Sequence, residues 1–165
     1  SLEVIEPVPH ILIAGGGHVG KSVSIVCDTL GWQHSVFDVR SEFSNQQRFP
    51  TATETVSCSV EDFLKSEKKS SLSRFSDVLV LGHDWSVDQE LLIGLLRDSP
   101  DNLRIGVIGS KSKWKGFVRA AEESGIRKDG LSNARCPIGL EIGADSPEEI
   151  AVAICAEILS MERGA

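Results

Sequence analysis

The sequence predicts an α/β domain: a doubly wound, mostly parallel sheet with helices on both faces. Three observations lead there. Short apolar runs alternate with amphipathic helical patterns along almost the whole chain. The runs are rich in Val and Ile and nearly continuous, as strands buried on both faces are. The first run ends in three glycines, and a helix pattern starts at once.

Taken in order, the strand runs are His10–Ala14, Gln33–Asp38, Thr55–Cys58, Asp77–Leu81 and Leu103–Ile108, with a weaker one at Cys136–Leu140. Residues 1–9 read as an extended lead-in, and residues 10–165 as a single domain. Val19, Val23, Val26 and Leu30 recur at helical spacing, with Gly31 as the stop. Ser59 opens a short helix to about Lys69. Ser86 with Gln89 reads as a capping box for the next helix. Ser110 opens another, to about Ser124. Ser146-Pro-Glu-Glu149 is a capping box with Pro at the first helical position, and Ile150, Ile154, Ile158 and Met161 form that helix's stripe. The SEKKSSLSR stretch reads as a polar surface loop.

With 165 residues, 41% hydrophobic and 25% charged, the chain is long enough for one domain with a core. A net charge of −7 argues against a nucleic-acid partner. No apolar run approaches the roughly 20 residues of a membrane span. The acidic, proline-broken start does not read as a signal peptide. Cys27, Cys58, Cys136 and Cys155 form no C-x-x-C pair, so reduced thiols in a cytoplasmic protein are expected.

Gly15, Gly17 and Gly20 supply a G-x-G-x-x-G fingerprint between a strand and a helix, which makes the expected fold Rossmann-like. The first glycine permits the turn, the second lets a diphosphate approach the backbone, and the third lets helix and strand pack closely. Free amides at the helix start favour an anion. His18, at that start, could hydrogen-bond a ligand. Asp38, ending the second strand, is placed to accept from ribose hydroxyls and to repel a 2′-phosphate. Arg40 could take a phosphate or be a solvated loop charge.

Other loops should reach the same rim, beyond the carboxyl ends of the strands. His83 and Asp84 could form a proton-transfer pair or bind metal, but no H-x-x-H spacing occurs and no metal site is expected. Gly109, Ser110 and Lys113 lie in GSKSKWK, where Lys111, Lys113 and Lys115 crowd a helix start. The helix dipole disfavours cations there. A bound anion would offset this, with Ser110 both capping the helix and touching it; the alternative is that the lysines point into solvent. Cys136 could be a ligand-facing thiolate or a small buried residue before Pro137.

Taken together, AGGGHVGKSV, DVRSEFSNQQRFP, VLVLGHDWSVDQELL, IGVIGSKSKWKGF and CPIGLEIGADSPEEIAVAICAEI resemble the C-terminal domain of the xanthine dehydrogenase accessory factor (XdhC/CoxI) family. They run in the family's order, and the last is the most specific. The resemblance implies a Rossmann-like domain in a maturation factor for molybdenum hydroxylases of the xanthine or carbon monoxide dehydrogenase type. Such a factor binds the molybdenum cofactor, as molybdopterin or its dinucleotide form, and passes it after sulfuration to the apo-enzyme; a cysteine desulfurase is a further implied partner. The sites it carries over are Gly15, Gly17, His18, Gly20, Asp38, Arg40, His83, Asp84, Gly109, Ser110 and Lys113. The family often has a second acidic residue after the one matching Asp38, where this chain has Val39. Full-length members also carry an N-terminal domain, so roles needing both domains lie beyond this stretch.

With no evident nucleophile or base, the expected activity is that of a non-catalytic binding module. Two alternatives are an NAD-binding oxidoreductase using His83 as acid or base, and a nucleotide-sensing regulatory domain that signals through homodimer contacts.

Overall fold

The computed structural model describes residues 7–67 and 69–165, with backbone alone at 69 and 70. The sheet contains β1 (His10–Ala14), β2 (Gln33–Phe37), β3 (Thr55–Val56), β4 (Asp77–Val80), β5 (Arg104–Val107) and β6 (Ala134–Arg135). Their order is β3-β2-β1-β4-β5-β6, and every neighbouring pair is parallel. The helices are α1 (His18–Leu30), α2 (Val60–Ser66), the single turn α3 (Lys69–Leu72), α4 (Trp85–Asp98), α5 (Lys111–Glu123) and α6 (Pro147–Arg163). Strand order reverses beside β1, so a crevice opens between the loops that follow β1 and β4. Among the described residues no helix is long and apolar enough to cross a membrane.

Alternation along the strands explains why both faces are covered. Successive side chains point to opposite sides. Leu12, Ala14, Val78, Val80, Ile105 and Val107 pack with Leu91, Leu92 and Leu95 of α4 and Phe117 of α5. Ile11, Ile13, Val36 and Leu79 pack with Val23 and Cys27 of α1 and Ile154 and Ile158 of α6. Each such fully buried aliphatic side chain contributes roughly 1.5–3 kcal/mol. Cys27 and Cys155 are core residues here, as the helical pattern predicts.

Three elements differ from the sequence expectation. The sixth strand lies upstream, at Ala134–Arg135; Pro137 has no N–H to donate to a ladder, so the run that follows does not pair. The supposed loop at SEKKSSLSR holds the α3 turn, with residue 68 outside the described residues and Leu72 fully buried. Arg74 then forks onto Glu67 at 2.8 Å and Glu54 at 3.0 and 3.1 Å, so charges that read as solvated are paired. Finally, α4 starts at Trp85. Asp84 is its N-cap, accepting from the amides of Ser86 and Val87 at 2.9 and 3.2 Å. Two adequate caps lie close together, and the earlier one gains extra length of helix. Residues 1–6 of the expected lead-in fall outside the described residues.

Buried polar groups at the amino edge of the sheet are paired. Asp77, fully buried, faces Arg104 across the β4–β5 register and takes a two-pronged ion pair at 2.8 and 2.9 Å. His10 Nε2 meets Ser35 Oγ at 2.8 Å, and His34 Nε2 meets Ser24 Oγ at 2.8 Å. Burial lowers the pKa of both rings, outweighing Glu54 beside His10 and Asp28 beside His34. Unfolding returns each ring to its ordinary value of 6.5, so below that pH the unfolded chain binds more protons. Stability from this pair is complete above 6.5 and is lost as pH falls toward the lower folded values. Urea midpoints should therefore decline as pH drops from about 7.5 to about 5.5, and His34→Gln should flatten that decline. A midpoint that rises on acidification contradicts this reading.

Candidate functional site

The glycine turn sets the geometry of the crevice. Gly15 has φ +124°, and its N–H donates to Phe37 O at 2.8 Å. A Cβ on Gly15 would stand 2.8 Å from the backbone of Leu81 and Gly82, so the β1 and β4 loops touch main chain to main chain. A Cβ on Gly20 would stand 2.1 Å from Gly15 O, which gives the third glycine its expected packing role. Gly17 is the N-cap of α1, and a Cβ there would meet nothing within 4 Å. The second glycine thus faces open space at the helix mouth. No side chain caps α1, and no acidic residue stands in its first turn. By contrast, Ser59, Asp84, Ser110 and Ser146 cap α2, α4, α5 and α6 with their side chains. His18 lies exposed at the uncapped mouth.

The long loop after β2 closes one side. Gly16, which the fingerprint leaves unspecified, sits under Phe43: a Cβ there would be 1.7 Å from Phe43 O. Arg48 Nε donates to Gly16 O at 2.7 Å, and Lys21 Nζ donates to Arg48 O. Asp38 is nearly buried and accepts four hydrogen bonds. Gly16 N–H and Arg40 Nη2 reach Oδ2 at 2.9 and 3.0 Å; Arg40 N–H and Nε reach Oδ1 at 2.9 and 3.0 Å. Burial alone would raise this carboxyl, but the Arg40 fork and the two amides outweigh it and hold it below the usual carboxylate range. An ionised carboxylate offers about four acceptor positions. All are in use, so the expected ribose contact at Asp38 requires Arg40 to move. Arg40 itself is no free loop charge: it stacks on Phe43, 3.9 Å from the ring centre, and its Nη1 lies 3.5 Å from His83 Nε2.

The remaining rim residues divide. His83 joins Gly15, Asp38 and Arg40 around a cleft of about 160 Å³. Ala14, Phe37, Val87 and Leu91 form its apolar wall. Cavities of about 150 Å³ accept a benzene-sized ring, so the cleft has room for a planar heterocycle. Asp84 also borders it, but its Oδ1 is committed to capping α4. Gly109 and Ser110 sit on the next loop over, and Lys113 in the first turn of α5. Gly109 has φ +152°, and Ser110 caps α5 through the Lys113 amide at 3.1 Å. Lys113 turns inward, where its Nζ donates to Asp88 Oδ2 at 3.2 Å and Ile108 O at 3.0 Å. The negative charge that this lysine-rich turn calls for is therefore supplied, at Lys113, by Asp88. Lys111 and Lys115 are exposed. Cys136 Sγ lies 3.4 Å from Gly109 O, and burial pushes its thiol up against the opposing pull of Lys113, which favours the small-residue reading over a thiolate. Among the described residues no group of three or more His, Cys, Asp or Glu side chains is arranged to hold a metal ion.

Asp88 lies inside the Ser86–Gln89 stretch, which gives it no role, yet it lines the cleft from the first turn of α4 and is only 2% exposed. Burial raises its pKa, with Lys113 opposing. A signal for it does exist: Asp88, Leu91, Leu92 and Leu95 follow one helical stripe, so the acid stands on the inward face.

Residues 11–158 match the model of the XdhC Rossmann domain. The chain belongs to that family. The XdhC domain described here is 28% identical over 157 residues to YqeB of Escherichia coli strain K12, spanning 95% of this chain and 28% of that protein. It is 28% identical over 163 residues to a probable xanthine dehydrogenase subunit of Bacillus subtilis strain 168, spanning 98% of this chain and 46% of that one. A crystal structure of a xanthine dehydrogenase from Bacillus halodurans superposes with a TM-score of 0.79 at 27% identity, covering 96% of this chain and 44% of the other. The XdhC domain thus spans less than half the length of these relatives.

Gly16 and Gly17 differ in what a methyl group meets. Gly16→Ala should cost about 1–3 kcal/mol and lower the melting temperature, whereas Gly17→Ala, which meets no neighbour and loses only the N-cap preference of glycine over alanine, should lower it clearly less. Equal melting temperatures for the two variants contradict the packing of the β2 loop on the turn.

Proposed function

We propose that this XdhC domain binds the phosphate-bearing part of a cofactor across the mouth of α1 and serves in the maturation of a molybdenum hydroxylase. The cargo is the molybdenum cofactor, as molybdopterin or its dinucleotide form, and the recipient is an apo-enzyme of the xanthine or carbon monoxide dehydrogenase type. One observation carries the binding reading: α1 opens on Gly17 toward free space, uncapped, while the other helices longer than one turn each have a side-chain cap. Unpaired amides and the positive end of a helix dipole together attract an anion. The names of the relatives support the choice of recipient, since two of them are called xanthine dehydrogenase or a subunit of one.

The residues present fit such a cargo. The amides at Gly17 and His18 would receive the phosphate or diphosphate, with Arg48 and Lys21 adding positive charge nearby. The cleft between β2 and β4 would receive a planar ring system. The alternative of an NAD-dependent oxidoreductase has less support, because the carboxylate expected to hold the adenosine ribose is already filled by Arg40. A carrier needs only to hold and release, which is what an open cradle with no committed nucleophile provides.

Gly17→Asp places a carboxylate in the open space where the anion would sit. The variant should keep its helical circular dichroism and lose at least about tenfold in the pterin and molybdenum that co-purify under anaerobic conditions, read by fluorescence and mass spectrometry. Undiminished loading of Gly17→Asp contradicts the proposal.

A further inference from the structure

The cleft beside the cradle has a chemically distinct floor. Asp88 is 2% exposed, and Lys113 occupies Oδ2. Oδ1 has no hydrogen-bond donor among the described residues, although the residue lines the cleft. The fold preserves this arrangement. A Cβ on Gly82 would stand 2.3 Å from Asp88 Oδ1, so only glycine leaves the carboxylate its space. On the far side, Lys113 is tied to Ile108 O as well as to Asp88, which fixes the carboxylate's rotation. That oxygen is not sealed off from the cleft, so water or a bound group there can donate to it, and a ligand that replaces the water must bring a donor of its own.

From this geometry we infer that Asp88 reads the donor edge of a bound heterocycle, selecting one that carries an exocyclic amino group beside a ring N–H, the pattern shared by guanine and pterin. The inference rests on the cofactor-binding reading above and adds to it the identity of the ring edge and the residue that recognises it. An ionised carboxylate only accepts. Guanine and 2-amino-4-oxopterin present two adjacent donors, one for Oδ1 and one for the acceptor site that Lys113 leaves on Oδ2. Adenine presents one amino donor next to a ring nitrogen that is itself an acceptor, and that lone pair would face a carboxylate oxygen. Hypoxanthine keeps the ring N–H but lacks the amino group. Phe37 and Leu91 supply the apolar flanks a ring needs, while the Gly17 mouth would take the attached phosphate.

The test is titration calorimetry on the unaltered chain with GMP, IMP, AMP and 6-hydroxymethylpterin, repeated on Asp88→Asn. GMP should bind about tenfold or more tighter than AMP, with IMP between them, and Asp88→Asn should remove the difference. Binding of 6-hydroxymethylpterin without any of the nucleotides assigns the edge to a free pterin, and GMP without the pterin assigns it to a nucleotide; either supports Asp88 as the reader when Asp88→Asn weakens it about tenfold, and overturns it when a folded Asp88→Asn binds unchanged. AMP binding as tightly as GMP overturns it. If the two bind equally but both weaken in Gly17→Asp, Asp88 is retired and the cradle stands. If none of the four binds, the cleft itself is not the ring site and the inference falls with it. The ranking in the unaltered chain decides the matter even if Asp88→Asn, which leaves Lys113 without its partner, fails to fold.

Discussion

Main chain meeting main chain at the end of β1 is the constraint that shapes this site. Gly15 lies against the backbone of Leu81 and Gly82, and Gly16 lies against Phe43 O. Neither approach tolerates a side chain. Because the three loops are locked together there, Gly16 N–H reaches Asp38, Asp38 holds Arg40, and Arg40 comes to rest beside His83. The next glycine, Gly17, is then the first point at which the turn is free of neighbours. The open cradle is a consequence of the closed turn next to it.

Charge follows a similar logic. Asp38 and Asp88 both border the cleft, both nearly buried, and each is held by a cation: Arg40 for the first, Lys113 for the second. Removing one partner from such a pair costs more than the pair contributes, because the survivor is left desolvated. The two acids differ in how completely they are satisfied. Asp38 has all its acceptor positions filled, so it is structural glue for the β2 loop. Asp88 keeps an oxygen free and borders the cavity.

Much of this is legible in the sequence. The strands can be read because a parallel sheet buried on both faces leaves continuous Val- and Ile-rich runs, and the Ser59, Ser110 and Ser146 caps can be read because capping chemistry is local. The glycine turn that opens α1 is legible for the same reason. What escapes is long-range. The start of α4 depends on which of two nearby caps the tertiary structure uses. Arg74 and Lys113 look solvated because Glu54 and Asp88, which pair with them, lie 20 and 25 residues away. Gly16 is invisible to a motif that assigns it no role, since its neighbour is Phe43, far along the chain. The family resemblance points to the right fold and the right relatives, but it cannot show that Arg40 already occupies Asp38.

The uncapped mouth of α1 should attract an anion as the capped helix starts do not. Amide chemical shifts read during titration with inorganic pyrophosphate at constant ionic strength test this directly. Saturable shifts are expected at Gly17, His18 and Val19, with little change at the amides following Ser110 and Ser146. Equal, unsaturable shifts at all three helix starts, or none at Gly17, would contradict it.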